Sequence, residues 1–230
     1  MTITTRTAFT KQLGDIEGYL VRLKEKTTAD IRATGLGLQG DEGALEGVAN
    51  GRKAEERLRS AIEESCLDAM LLQQPLIGDD LRFVTGTFRI VGDITRTDDM
   101  TRDIAYLADE IPEKARKKFE AEFAEMSECA ADMIDRSITA FCSKDLEGAR
   151  QVIEADTRIN SLYDECENKL VALIRDGKSS GEYLPELLMV AKYYERMGDN
   201  AKRIAAWAEF RVTGTHRVEG KVDQLGGLEG

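Results

Sequence analysis

Glu195 and Asp199 stand four residues apart in the stretch ERMGDNAKRIAAW, and Asp156 and Asn160 repeat that spacing in VIEADTRIN. On a helix, a spacing of four puts both side chains on one face, about one turn apart. Two facing helices that carry such pairs present oxygen donors to a common point, as carboxylate metal sites in helical bundles do. Oxygen ligands suit hard cations such as Mg²⁺, Mn²⁺, Ca²⁺ or iron, whereas zinc usually takes nitrogen or sulfur as well. The same residues also make ordinary ion-pair networks, with Arg196 and Lys202 at hand to relieve the repulsion. Spacing alone does not separate the two readings, because 43 acidic residues yield on the order of eight such acid pairs by chance.

Gly198 sits between the two acids, where a helix interior loses roughly 1 kcal/mol relative to Ala. Leu187, Ala191, Tyr194, Gly198, Ala201, Ala205 and Ala208 recur at spacings of three and four, so Gly198 belongs to the buried seam. A glycine followed by alanines lets a neighbouring helix backbone come close, and that contact offsets the propensity cost.

The elements that must position these residues are six helical segments, roughly 6–38, 41–73, 79–109, 113–143, 145–176 and 183–211. Pro75, Pro112 and Pro185 all fall at joints, the last in a first helical turn. In the fifth segment Val152, Ile159, Leu162, Cys166, Leu170 and Leu173 form one apolar stripe. Abundant Ala, Leu, Glu, Lys and Arg, with 6% aromatics, favour helix over strand. The expected fold is all-α.

An internal repeat organises the segments. An offset of 100 superposes Asp99 on Asp199, Arg96 on Arg196, Ile104 on Ile204, Ala105 on Ala205 and Ala108 on Ala208, so the third segment matches the sixth. A weaker match at an offset of 104 pairs VANGRKAEERL (Val48 to Leu58) with VIEADTRINSL (Val152 to Leu162). The chain therefore reads as two homologous antiparallel three-helix bundles, the first over 1–111 and the second over 112–213, with a Gly-rich polar tail over 214–230 read as disordered.

The formal charge of −11 disfavours nucleic acid and anionic lipid as partners. No apolar run reaches a membrane span, the N-terminus lacks the apolar core of a signal peptide, and a cytoplasmic location is expected. Cys66, Cys129, Cys142 and Cys166 show no C-x-x-C pair and read as buried free thiols. His216 is the one histidine and lies in the tail, which disfavours zinc and Ser-His or Cys-His chemistry.

ERMGDNAKRIA resembles the signature on the last helix of each repeat in the PhoU family of regulators of phosphate uptake. QPLIGDDLRFV (Gln74 to Val84) is similar to that family's link into the third helix, and AIEESC and ARQVIEADTRIN to its second helices. The resemblance runs from about residue 9 to 213. It implies a pair of three-helix bundles, frequent dimerisation, and a role that is not enzymatic. That role is negative regulation of a phosphate ABC transporter, through its ATPase, and of a phosphate-sensing histidine kinase. It also implies a metal ion or multinuclear cluster, iron among the metals, on the acidic motif of each bundle.

The second half fits this pattern better than the first. Its candidate metal residues are Glu195, Asp199, Asp156 and Asn160, whereas in the first half Thr95 stands for Glu195, Asp98 for Gly198, and Arg52 and Glu56 for Asp156 and Asn160. Asp93, Asp99 and Asp103 still supply carboxylates there, but the arginine repels a metal and makes this site the degraded one. Asp98, on what should be a buried seam, predicts either a more open first bundle or a pairing with Arg102. Arg52, Lys53, Arg203 and Arg211 are candidate surface cations for an acidic partner. Two rival readings are a metal-dependent hydrolase or oxidase, which lacks the Glu-x-x-His ligands of bundle oxidases, and a purely structural dimer scaffold.

Overall fold

The proline and glycine punctuation marks out the helices of the computed structural model, which describes residues 3–72, 75–176 and 182–215. Three long helices, α1 (Ile3–Leu38), α2 (Glu42–Leu72) and α3 (Gly78–Glu110), are followed by a short α4 (Glu113–Arg116) and a 3-10 turn (Lys117–Phe119). Three more then complete the chain: α5 (Glu120–Ser143), α6 (Leu146–Arg175) and α7 (Leu184–Thr213). Most of the polar tail, with His216, lies outside the described residues.

Local chemistry explains the boundaries. Asp145 caps α6 by accepting a hydrogen bond from the Gly148 amide at 3.0 Å. Pro185 stands in the first turn of α7, where its missing N–H costs nothing, and Gly214 closes that helix in the left-handed conformation. The expected fourth helix over 113–143 is broken instead at Lys117–Phe119. The tightened turn buries Phe119 against Phe123 and lets Arg116 donate to the Gly37 carbonyl at 2.6 Å.

α1, α2 and α3 form one antiparallel bundle, and α5, α6 and α7 the other. α1 packs against α5, and α3 against α7, so the bundles are fused along four central helices with α2 and α6 outermost. Ile16, Leu20 and Ile94 of the first bundle belong to the same core cluster as Met126, Phe141, Ile159 and Ile204 of the second. Polar contacts cross the same junction: Thr34 to Tyr194 at 2.8 Å, Asn200 to Thr97 at 2.9 Å and Lys24 to Asp135 at 2.8 Å.

Candidate cation site

In the second bundle α6 and α7 approach closely where Gly198 faces Ile159. A Cβ on Gly198 would lie 2.9 Å from Ile159 Cγ2 and 3.3 Å from Asp156 Oδ1, so only glycine leaves this space free. The approach brings Asp156 of α6 beside Asp199 of α7. Lys202 lies between them, its Nζ 2.8 Å from Asp156 Oδ2 and 2.8 Å from Asp199 Oδ1. Asn160 also donates to Asp156 Oδ2, at 2.8 Å.

Burial works against the charge on Lys202, but its hydrogen bonds to Asp156 and Asp199 outweigh that and hold its pKa above the usual lysine value. Asp156 is 7% exposed, and its Oδ1 is buried without a hydrogen-bond partner. Glu195 does not complete a three-carboxylate group with Asp156 and Asp199; its Oε2 lies 2.8 Å from Lys192 Nζ, one turn earlier on α7. Of the two cations expected to relieve repulsion, Lys202 does so, while Arg196 stays exposed.

The positions that the repeat offsets place opposite this site in the first bundle also come together. Arg52, Glu55, Thr95, Asp98, Asp99 and Arg102 line a cleft of about 160 Å³ between α2 and α3. Its charges answer one another: Arg102 pairs with Glu55 and, at 2.6 Å, with Asp99, and Arg52 pairs with Glu56 at 2.9 Å. Of the two expectations for Asp98, the cleft it lines agrees with a more open first bundle, whereas the pairing with Arg102 is corrected. Arg102 is engaged elsewhere, and Asp98, 4% exposed, accepts a hydrogen bond from Thr27 Oγ1 at 2.7 Å. Burial pushes its pKa up to about 8, with Glu55 and Asp30 adding to the rise and Thr27 and Arg102 opposing it.

Asp93, Asp99 and Asp103 do not converge. Asp93 is buried against α7, paired with Arg96 and, at 2.9 Å, with Arg203, whereas Asp99 faces the cleft. Asp103 is exposed and interacts with Tyr193. A separation of six residues turns Asp93 and Asp99 about 120° apart on the helix. Of the expected surface cations, Arg211 is buried and structural, whereas Arg203 is exposed. Arg203 pairs with Asp93, and Arg211 is buried against the stacked pair of Phe83 and Phe141 rings, donating to the Phe141 carbonyl at 2.7 Å and to Asp79 at 3.1 Å. Sequence reasoning missed Thr27 and Glu55, whose roles depend on contacts between helices, and Lys192, which pairs with Glu195 one turn later on α7 itself.

Among the described residues no three His, Cys, Asp or Glu side chains converge on one point. Asp156, Asn160 and Asp199 supply oxygen donors, and Asp156 Oδ1 is unpartnered, but the ammonium of Lys202 already answers both carboxylates and the close contact at Gly198 leaves no room beside Asp156 Oδ1. A cluster would need Glu195 drawn in from Lys192. The first-bundle cleft, with the Arg102 guanidinium bound to two of its carboxylates and Arg52 at its exposed edge, does not suit a metal.

Two repeated three-helix bundles fused along a common core, each with an acidic motif between its outer helix and its last, define a two-repeat helical-bundle protein. The PhoU domain matches residues 33–108 and 123–208, and the chain belongs to the PhoU family. It is 26% identical over 211 residues to the phosphate-specific transport system accessory protein PhoU homolog of Clostridium acetobutylicum, covering 91% of this chain and 96% of that one. Among solved structures, PhoU from Pseudomonas aeruginosa superposes with a TM-score of 0.80 at 20% identity, over 90% of this chain and 100% of that one. The phosphate transport system regulatory protein PhoU from Streptococcus pneumoniae does so with a TM-score of 0.82 at 22% identity, over 91% and 99%.

Proposed function

We propose that this chain is an accessory regulator of a phosphate transport system, acting in the cytoplasm as a homodimer. It holds high-affinity uptake and the phosphate-starvation response off when phosphate is plentiful. The observation that carries this reading is the match of both repeats to the PhoU domain, together with relatives named as accessory proteins of phosphate-specific transport. Its partners would be the ATPase of the phosphate ABC transporter and a phosphate-sensing histidine kinase. No helix among the described residues is long and apolar enough to cross a membrane, which suits a protein that meets these partners from one side.

The second-bundle residues Asp156, Asn160 and Asp199 would hold a divalent or iron ion, with Glu195 joining once released from Lys192. Such an ion would tie α6 to α7 by charge neutralisation. The rival hydrolase or oxidase reading finds less support, because an activated water needs a base or open ligand set, and the carboxylates near the site are already paired with Lys202 and Lys192.

Deleting the gene in its host tests the regulatory role. Phosphate uptake should stay high in phosphate-rich medium, and the tagged chain should retain the transporter ATPase in a pull-down. Uptake that remains repressed without the chain would refute the proposal.

A further inference from the structure

α3 and α7 lie antiparallel, with Asp93 level with Arg203, Thr97 with Asn200 and Asp103 with Tyr193. Their outer side carries two rows of residues at intervals of seven. On α3 the row is Arg89, Arg96 and Asp103, and on α7 it is Met189, Arg196, Arg203 and Phe210. Seven residues make close to two turns, so each row keeps to one side of its helix with its members about 10 Å apart. All four arginines are exposed, and Met189 is exposed at the end of its row.

Two of these arginines are fixed from below. Arg96 and Arg203 share the carboxylate of Asp93, whose side chain is 4% exposed, while their own side chains are 58% and 51% exposed. One buried acid thus orients two guanidinium groups, each of which keeps further N–H donors facing water. Arg89 and Arg196 form no ion pair among the described residues. The acids that border the face, Asp99 and Asp199, are answered by Arg102 and Lys202. Four guanidinium groups therefore stand over Asp93 and Asp103 on a chain whose net charge is −11.

We propose that the α3 and α7 face is a docking surface for an acidic helix of a protein partner, whose carboxylates two turns apart meet the arginine rows and whose apolar side chains meet Met189 and Phe210. Charge complementarity selects this occupant. Guanidinium groups bind carboxylates through paired N–H donors, and arginines with aromatic side chains carry much of the affinity of protein interfaces. A second copy docked here about a two-fold axis would set arginine against arginine. Nucleic acid and anionic lipid are extended polyanions that the chain repels as a whole, whereas an acidic helix brings a few carboxylates on a partner of any net charge. The inference rests on the reading that this chain acts through protein partners, and adds the surface by which it does so.

The test is calorimetric titration of the full-length protein with the purified transporter ATPase at about 50 mM and about 300 mM salt. The parent should bind more tightly at the lower salt. Arg89→Glu/Arg196→Glu should weaken that binding roughly tenfold or more, with the melting temperature unchanged because neither side chain is tied to Asp93. Lys53→Glu/Arg57→Glu, at exposed positions of α2, makes the same change in net charge and should alter affinity by a factor of about two at most. If the first variant does not fold, Arg89→Gln/Arg196→Gln takes its place. Unchanged affinity in the first variant, or an equal loss in both, would overturn the docking face and leave the partner reading standing. Failure of the parent to bind the ATPase would overturn both. Binding to phosphatidylglycerol vesicles that needs Arg89 and Arg196, beside an ATPase titration that does not, would give the face to lipid and overturn the proposal.

Discussion

Asp98 shows how one residue changes the physics of a repeat. It takes the seam position that Gly198 holds in the second bundle, and burial moves its carboxyl from 3.8 up to about 8. The folded protein thus keeps this proton while the unfolded chain loses it near pH 4, so the contribution to stability is complete below that pH and is lost as pH rises through about 8. Asp98→Asn keeps an acceptor for Thr27 and should flatten this fall, which amounts to roughly 1 kcal/mol per pH unit. Thermal melts of the two proteins at several pH values between these limits make the comparison; identical slopes would show that Asp98 is not the group responsible. Asp30, pushed up to about 6, leaves a residual slope below that pH in both. The cysteines give a second expectation at this scale. Burial raises Cys66 and Cys166 to about 12 and Cys142 to about 11, so the native protein should react slowly with thiol reagents and rapidly once unfolded.

At the scale of helices, the α6 and α7 contact depends on a missing side chain. Gly198→Ala gains about 1 kcal/mol of helix propensity, but its Cβ meets Ile159 at 2.9 Å, and overpacking of this kind costs about 1 to 3 kcal/mol. The expected result is a net loss. Gly92→Ala on α3 is the control, because its Cβ would meet only the end of Arg96 at 3.9 Å, and it should stabilise by up to about 1 kcal/mol. Urea denaturation of both variants distinguishes a packed seam from a merely flexible one; two gains would mean that α6 gives way. Arg211 does the opposite job, filling space. It joins α3, α5 and α7 by stacking on two aromatic rings and donating to a carbonyl and a carboxylate. Arg211→Lys retains the charge but not the fork or the stacking, and should cost about 2 to 4 kcal/mol. A midpoint unchanged from the parent would show the cage to be dispensable.

For the molecule as a whole, the two bundles are repeats in sequence but one body in packing. Apolar residues of α1 and α3 are buried against α5 and α7 in a single core cluster. Calorimetry should accordingly show one cooperative transition. A chain ending at residue 111 would expose the junction face, with Ile16, Leu20 and Ile94 beside it, and should be loosely packed, detected by dye binding and lost near-UV dichroism. Two separate transitions, or a well-folded first half, would mean that each bundle is self-sufficient.

Periodicity, punctuation and the two offsets were enough to read six long helices, their pairing into two bundles and the positions that face each other in each repeat. These are local properties: a stripe every three or four residues, a proline at a joint and a glycine on a seam each act within one helix or between neighbours in the chain. The partners of the charged side chains were not legible in the same way. Spacing put Glu195 with Asp199, and Asp98 with Arg102, since residues one turn apart are always close. Glu195 instead pairs with Lys192, equally one turn away on α7, while the fold sent Arg102 across to Glu55 and brought Thr27 to Asp98. The fold also turned Arg211 from a surface cation into a buried junction residue, while Arg203 stays exposed and pairs with Asp93. With 43 acids and 32 bases, each charge has several candidates at a suitable spacing, and those on other helices compete on equal terms. The packing of one helix against another decides which carboxylate meets a cation from a different helix.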